Sequence, residues 1–270
     1  MTQFKNPPRL AFIGGGHITE ILLDNWVSGG VVAPEQAVVS SRGKERLTKL
    51  RERFEVAILQ DNVAAVQGAD LIFINVRPEV VETVVGELRT TDLTPHQLII
   101  SLAAGIPLAK YGRLSPQQPL VRAMPNPPSR IGQGLIALHL SPHVTKTQRT
   151  MVQNLFSTLG QVVEVEEAHF NVITALTSPV ATYLFFQSLI EAGVRGGLKR
   201  PLAAQIAAQT LIGSLGVWQT GDEPPYGLIA EASTPGGISV EVLYTLEKLG
   251  LKTAVMDAIA QGTNRAEQLS

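Results

Sequence analysis

Three consecutive glycines near the start of the chain could bind a phosphate. The apolar run Leu10–Ile13 leads into Gly14, Gly15 and Gly16, and a helical pattern follows. In this strand–turn–helix context, glycine permits a tight turn and lets the backbone approach an anion closely. The N–H groups at the start of the helix then point at that anion. The pattern predicts a dinucleotide-binding turn, and the alternative is a structural connection without a ligand.

Four residues of this turn are expected to contact the dinucleotide: Gly14, Gly16, His17 and Ile18. Thr19 stands where the fingerprint of such turns carries Gly or Ala, so the motif is imperfect. His17 is also explained as a surface histidine at the beginning of a helix.

The segment after the second predicted strand bears on which nucleotide binds. An acidic residue there would bind the ribose 2′-hydroxyl of NAD and repel a 2′-phosphate. This chain instead carries Ser40, Ser41 and Arg42, followed by Lys44. Hydroxyls can donate hydrogen bonds to a phosphate, and the planar guanidinium of arginine can clamp one. We predict NADP(H) bound at Ser41 and Arg42, with NAD possible; alternatively, Arg42 and Lys44 are solvated residues at a helix start.

Short apolar strands alternate with helical patterns over the first 165 residues. Such alternation predicts a parallel sheet with helices on both faces. The predicted strands are Leu10–Ile13, Ala37–Ser40, Val56–Leu59, Leu71–Val76, Gln97–Ser101, Leu120–Ala123, Gly134–Leu140 and Gln161–Val165. The predicted helices are Ile18–Val27, Lys44–Phe54, Pro78–Leu88 and Thr145–Leu159.

Strand patterns end near residue 166, and the remainder is predicted to be helical. The predicted helices are Phe170–Val194, Leu202–Thr220, Gly237–Leu249 and Lys252–Ser270. The expected fold class is therefore α/β: a Rossmann-like doubly wound parallel sheet at residues 1–165, then an all-helical domain at residues 166–270. A small helical unit this apolar has little interior of its own, so we expect a partner subunit in a homodimer or a larger homo-oligomer.

Composition excludes several classes of protein. The net charge of −1 provides no basic field for nucleic acid, and the absence of cysteine excludes disulfides and thiolate metal sites. The N-terminus has no apolar signal-peptide core. The uncharged stretch Phe170–Ile190 is long enough to cross a bilayer, but it contains Pro179 and several polar residues, which favours a helix buried between subunits. We expect a cytoplasmic protein with neither a membrane partner nor a metal.

The order and spacing of several motifs resemble those of the pyrroline-5-carboxylate reductase family, over nearly the whole chain. The shared landmarks are residues 14–16, 75–78, 101–106, 124–128, 191–194 and 233–239. That family reduces a cyclic imine, 1-pyrroline-5-carboxylate, to L-proline with NAD(P)H. The resemblance implies this activity on a small imine, a cofactor domain at residues 1–165, and a substrate and dimerisation domain at residues 166–270.

The resemblance also implies cofactor contacts beyond the glycine turn. They follow three strand ends, where ligands gather in open α/β sheets: Val76, Arg77, Pro78, Ala103, Ala104 and Asn126. Arg77 replaces the lysine that the family carries. Each has a simpler alternative: a solvent-facing strand end for Arg77, a tight connection for the two alanines, and a turn-capping side chain for Asn126.

In the family, a C-terminal loop holds the substrate carboxylate. The matching positions here are Thr234, Gly236, Gly237 and Ile238, and Ser239 is the candidate catalytic donor to the imine nitrogen. Backbone N–H groups at such a helix start can bind an anion without a cationic side chain. The alternative is an ordinary helix start capped by Ser233 or Thr234.

Three departures from the family pattern lie in the substrate region. The loop ends in Ile238 and Ser239 rather than two threonines, and Ala230 and Glu231 replace an acidic pair. Residues 176–181 replace the family's Gly-Ser-Gly-Pro-Ala-Tyr stretch and keep only the proline. These changes leave two other hypotheses open: a reductase of another imine or a 2-keto acid, and a non-catalytic NADP-binding protein.

Overall fold

The computed structural model describes residues 7–115 and 117–268. The chain divides into two compact units: Met1–Thr177 together with Gln261–Ser270, and Ser178–Ala260. The first unit is built on a sheet, and the second is made of helices.

Eight strands form the sheet of the first unit. They are β1 (Leu10–Ile13), β2 (Ala37–Ser40), β3 (Ala57–Leu59), β4 (Leu71–Ile74), β5 (Leu98–Ser101), β6 (Leu120–Met124), β7 (Gly134–Leu140) and β8 (Gly160–Glu164). Their spatial order is β3-β2-β1-β4-β5-β6-β7-β8. The first six are parallel and follow the Rossmann order, so the predicted doubly wound sheet is confirmed. The strand β7 is antiparallel to β6, and β8 is parallel to β7, so the sheet is not parallel throughout.

Eleven α-helices lie in the described residues. Those of the first unit are α1 (His17–Leu23), α2 (Lys44–Phe54), α3 (Asn62–Ala65), α4 (Val81–Leu88), α5 (Lys146–Ser157) and α6 (Phe170–Leu176). The others are α7 (Val180–Arg195), α8 (Arg200–Thr220), α9 (Pro225–Ala232), α10 (Ile238–Lys248) and α11 (Leu251–Glu267). A π-helical segment, Asp24–Ser28, directly follows α1.

The core lies on both faces of the sheet, which explains why the central strands β1, β4 and β5 are apolar without alternation. Successive residues of β1 point to opposite faces: Phe12 joins a cluster with Trp26 and Phe73, whereas Ile13 joins a second cluster with Tyr111. The rings of Phe12 and Phe73 stack at 4.9 Å. Burial on both sides fixes the sheet, and with it the loops at the carboxyl ends of its strands.

The predicted single helix Phe170–Val194 is wrong. Helix α6 ends at Leu176, and α7 begins only at Val180. Pro179 is the cause, because proline lacks the N–H group that a continuing helix would use. Helix α9 was missed from the sequence, although Pro224 and Pro225 at its start are a common signal of a helix N-terminus.

The segment 167–195 passes a length and hydropathy test for a membrane-crossing helix. The break at residues 177–179 leaves a longer piece of 16 residues, α7. At 1.5 Å per residue such a piece spans about 24 Å, less than the bilayer core of about 30 Å. The continuous helix that a membrane crossing requires is therefore not formed.

The helical unit buries little of its apolar surface. Its small core contains Ile190, Ala203 and Ala207, where α7 packs on α8. Large apolar side chains are exposed on every helix of the unit: Val180, Tyr183, Leu184, Phe185, Leu202, Ile206, Ile212, Leu215, Val217, Trp218, Tyr226, Ile229, Ile238, Val242, Tyr244 and Val255. Apolar surface on this scale is typical of an interface rather than of a free monomer.

Candidate functional site: the nucleotide cleft and the C-terminal loop

The glycine turn joins β1 to α1 at the carboxyl edge of the sheet. Gly14 has φ +104° and donates its N–H to the Ser40 carbonyl at 2.7 Å. A Cβ atom on Gly14 would lie 2.0 Å from the Asn75 carbonyl oxygen, so no other residue fits. A Cβ on Gly16 would meet only the Asn75 side chain, at 3.9 Å, so the space above this glycine is open. The turn is therefore tight at its first glycine and accessible at its third.

Thr19, which replaces the Gly or Ala of the fingerprint, supports the turn instead of disrupting it. Its side chain is completely buried, and its hydroxyl donates to the Gly14 carbonyl at 2.6 Å. The hydroxyl thus holds the turn from within the helix that follows. The imperfect motif is compatible with a formed binding turn.

A cavity of about 1090 Å³ opens beside the turn. Seven of the predicted cofactor residues line it: Gly14, Gly16, His17, Ser41, Arg42, Val76 and Arg77. Five do not: Ile18, Pro78, Ala103, Ala104 and Asn126. The volume exceeds the range of about 300–1,000 Å³ of pockets for drug-sized ligands. The cleft has the size, the backbone turn and the cationic groups that an extended anionic dinucleotide requires.

The wall formed by β2 and α2 differs from expectation at two residues. Ser40 is among the residues that line the cavity, but it is buried and its hydroxyl already donates to Asn62 Oδ1 at 2.7 Å. Arg46, which the sequence reasoning missed, lines the cavity and donates from Nε to the Gly15 carbonyl at 2.7 Å. It lies in the first turn of α2, which begins at Lys44, directly after the segment that carries Arg42.

Arg46 also forms an ion pair with Glu20 at 2.6 Å. The hydrogen bond from Arg46 holds the pKa of the Glu20 carboxyl below its usual range. Arg53 contacts the same carboxylate from about two turns further along α2. Glu20 is thus an anion within the cleft wall whose charge is already matched.

Further along the sheet, β5 and β6 contribute Ser101 and Arg122 to a buried polar cluster. Ser101 shares a hydrogen bond of 2.6 Å with the Tyr111 hydroxyl, and burial raises the pKa of Tyr111 to about 12. Arg122, beside Ser101 in the sheet, pairs with Glu167 at 3.4 Å and lies over the Phe170 ring. Burial lowers the pKa of Arg122.

This cluster anchors the loop that carries Ala103 and Ala104. Glu167 accepts the N–H of Leu108 at 2.7 Å and so fixes the far end of that loop. Ala103 is buried and Ala104 is exposed. The sequence offered no signal for the cluster, because its members are far apart in the chain.

The side-chain amide of Asn126 already forms two hydrogen bonds within the protein. Its Nδ2 donates to the Thr177 carbonyl at 3.3 Å, and its Oδ1 accepts the N–H of Leu135 at 3.0 Å. The side chain therefore ties the loop after β6 to two neighbours. A direct contact between Asn126 and a cofactor stays a prediction.

The C-terminal loop of the helical unit reaches α10 without a side-chain cap. Gly237 is the N-cap residue, and no side chain there accepts a hydrogen bond from the helix. The alternative of a cap by Ser233 or Thr234 is therefore wrong. Gly236 has φ +73°, and the Gly237 N–H donates to the Thr234 carbonyl at 2.9 Å. The first amides of α10 remain available to an anion.

One predicted substrate residue, Ile238, and the candidate catalytic residue, Ser239, face a groove within the helical unit. Ile238 and Ser239 lie among the residues that line a mostly apolar space of about 710 Å³. Ile238 is 86% exposed, and Ser239 is exposed as well. The loop thus presents one hydroxyl and one large apolar side chain at the start of a helix.

Family models match both parts of the chain. The model described as pyrroline-5-carboxylate reductase dimerisation matches residues 167–269. The model described as NADP oxidoreductase coenzyme F420-dependent matches residues 9–105.

Solved structures agree over the full length. A pyrroline-5-carboxylate reductase from Coxiella burnetii superimposes with a TM-score of 0.87 at 28% identity, covering 98% of this chain and 99% of that chain. The Plasmodium falciparum pyrroline carboxylate reductase with NADP bound gives 0.86 at 26% identity, covering 97% and 98%.

Curated relatives show the same coverage. The pyrroline-5-carboxylate reductase of Corynebacterium melassecola is 32% identical and covers 96% of this chain and 98% of its own length. That of Glycine max is 31% identical, covering 97% and 96%. The chain belongs to the pyrroline-5-carboxylate reductase family.

Proposed function

We propose that this protein is an NAD(P)H-dependent oxidoreductase that reduces 1-pyrroline-5-carboxylate to L-proline with NADPH. The observation that carries the proposal is the cleft at the glycine turn, in a chain that matches pyrroline-5-carboxylate reductases from end to end. The structural relative with NADP bound supports the choice of cofactor.

The cleft residues have distinct roles in holding NADPH. The backbone amides beside Gly14 and Gly16 bind the pyrophosphate at the start of α1. Ser41 and Arg42, at the end of β2, bind the 2′-phosphate that distinguishes NADPH from NADH. Val76 and Arg77, at the end of β4, line the cavity on its other side.

The bound cofactor supplies the hydride, and the protein supplies position and a proton donor. Ile18, Pro78, Ala103, Ala104 and Asn126 complete the proposed cofactor contacts. The loop of Thr234, Gly236, Gly237 and Ile238 binds the substrate carboxylate through main-chain amides. Ser239 donates a hydrogen bond to the imine nitrogen, which gains basicity as the C=N bond is reduced and must end protonated.

The proposal includes a homodimer built through the helical domain, residues 166–270. The match to a dimerisation model and the many exposed apolar side chains of α7–α11 support it. An obligate dimer hides such a surface. Sedimentation should give a dimer or a larger assembly at micromolar concentration, and a compact monomer would contradict the proposal.

A cytoplasmic location is part of the same proposal. The absence of cysteine among the 270 residues suits a reducing compartment, and fractionation of cells that express the protein tests the location.

NADPH oxidation in the presence of pyrroline-5-carboxylate tests the function, with NADH measured beside it. A panel of other cyclic imines and 2-keto acids belongs in the same assay, because Val180 and Ile238 stand at changed positions and are strongly exposed. Preferred turnover of pyrroline-5-carboxylate supports the proposal. Turnover of another imine or keto acid alone would replace the substrate, and tight NADPH binding without any turnover would indicate a non-catalytic protein.

A further inference from the structure

Arg130 reaches the start of α1 from the loop after β6, at the same carboxyl edge of the sheet as the glycine turn. It lies in the short helical turn Pro127–Ile131, which connects β6 to β7. Its Nη2 atom is 3.3 Å from the Nε2 atom of His17, the first residue of α1. His17 lines the cavity beside the glycine turn. Arg130 is not itself among the residues that line the cavity, but its guanidinium group contacts one of them close to the point where the pyrophosphate of a dinucleotide is expected.

No acid matches this cationic group. Arg130 forms no ion pair within residues 7–115 and 117–268. The nearest carboxylate along α1, Glu20, is held by Arg46 and Arg53. Because a guanidinium only donates hydrogen bonds, Arg130 donates to the Nε2 atom of His17 and itself keeps a positive charge that no acid of the described residues neutralises. The backbone amides at the start of α1 add partial positive charge at the same place.

The turn that carries Arg130 is held in a defined conformation. Asn126 at its start accepts the Leu135 N–H, and Ser129 within it is buried. Gly132 ends it with φ +71°, a left-handed conformation that favours glycine. A rigid backbone lowers the entropy that Arg130 loses when it binds a ligand.

Resting on the proposed function, we propose that Arg130 and His17 form a clamp on the pyrophosphate of the cofactor, opposite the backbone amides of the glycine turn. Arg130 donates to a phosphate oxygen, in the charge-assisted geometry that guanidinium groups favour. The clamp lies at α1 and not at the end of β2, where Arg42 is placed. It therefore contacts the pyrophosphate, which NADPH and NADH share, and makes no contact with the 2′-phosphate.

The roles of Arg130 and Arg42 can be distinguished by measuring equilibrium binding of NADPH and of NADH to the purified full chain. Arg130→Ala should weaken both nucleotides by the same factor, roughly tenfold, as expected for the loss of one charge-assisted hydrogen bond. Arg42→Ala should weaken NADPH and leave NADH unchanged. Arg89→Ala removes an exposed cation at the end of α4 and should change neither affinity. Arg130→Lys, which keeps the charge, should recover part of the loss.

Wild-type affinity of Arg130→Ala for both nucleotides would overturn the clamp, and so would a loss confined to NADPH. The melting temperature of each variant is measured beside its affinity, because Arg130 is exposed and its replacement should leave stability unchanged. Destabilisation of Arg130→Ala and Arg130→Lys alike would assign the residue a structural role and overturn the clamp as well. Absence of nucleotide binding by the wild-type chain would instead reject the proposed function itself.

Discussion

Asn75 donates its side-chain amide to the Thr19 hydroxyl at 2.7 Å, and this bond links the end of β4 to α1. Thr19 passes the link on by donating to the Gly14 carbonyl. The glycine turn is therefore held by two side chains from different elements. A partly buried polar chain of this kind is costly to break, because its remaining groups lose their partners.

Thr19→Val keeps the shape of the side chain and removes the hydroxyl. It should lower the free energy of unfolding by about 1–3 kcal/mol, because the Asn75 amide and the Gly14 carbonyl lose a partner. NADPH affinity should fall as the turn loosens. Denaturant unfolding and nucleotide titration measure the two effects. In a double-mutant cycle with Asn75→Ala, fully additive losses would show that the two residues do not act together.

Gly14→Ala tests the tight part of the turn. The added Cβ would lie 2.0 Å from the Asn75 carbonyl oxygen, at φ +104°. We expect a loss of roughly 3 kcal/mol or more, from backbone strain and steric overlap together, and loss of NADPH binding. Gly30→Ala is a matched control, because Gly30 also has positive φ, +71°, but nothing lies within 4 Å of its Cβ position.

Gly30→Ala should cost only the strain of the left-handed conformation, about 1–2 kcal/mol, and should bind NADPH normally. Equal effects of the two substitutions on nucleotide binding would contradict the assignment of the turn. Thermal unfolding and fluorescence titration of both variants provide the comparison.

Ser239→Ala removes the proposed donor to the imine nitrogen. Its kcat/KM for pyrroline-5-carboxylate should fall at least about tenfold, equivalent to about 1.4 kcal/mol of transition-state stabilisation. NADPH affinity should stay at its wild-type value. An imine that is already protonated in solution needs less help, so the variant keeps measurable activity. A smaller loss would remove Ser239 from the mechanism.

The buried Tyr111 hydroxyl predicts a loss of stability at alkaline pH. Burial raises the pKa of Tyr111 to about 12, so folding favours its neutral form. The resulting stability is complete below the unfolded pKa of about 10 and is lost as the pH rises towards 12. At about 1.4 kcal/mol per pKa unit, the contribution is of the order of 2–3 kcal/mol.

Tyr111→Phe cannot ionise, so its stability disadvantage against the wild type should shrink between pH 9 and 11.5. Denaturant unfolding at several pH values measures this change. Tyr244→Phe removes an exposed hydroxyl and serves as the control, which should follow the wild-type curve. A constant difference between wild type and Tyr111→Phe across this range would contradict the prediction.

Local patterns predicted most of the fold. All eight strands were predicted, and the signal was clearest for β1, β4 and β5, which are buried along their whole length and therefore apolar without alternation. The edge strands β3 and β8 are partly exposed. The break at Pro179 was missed, because helical periodicity continues on both sides of it. The antiparallel pairing of β6 with β7 depends on which edges meet in space, and residues 120–140 carry no signal for it.

In the candidate site, too, residues defined by a local motif could be predicted, and residues defined by contacts between distant segments could not. Gly14, Ser41 and Arg42 could be named from the sequence because a linear motif and the residues after a strand define them, and all three line the cavity. Arg130 and the pair of Arg122 with Glu167 were not found, because their partners lie far away in the sequence. The hydrogen bond from Ser40 to Asn62 could not be predicted either, because the two residues are 22 positions apart in the sequence.

Transfer of a labelled hydride tests the central claim most directly. The purified chain is incubated with pyrroline-5-carboxylate and NADPH that carries deuterium at both C4 positions, and the product is analysed by mass spectrometry and NMR. We predict L-proline with a single deuterium at C5, formed in proportion to the NADPH consumed. Absence of proline, or proline without deuterium, from a preparation that binds NADPH would contradict the assignment.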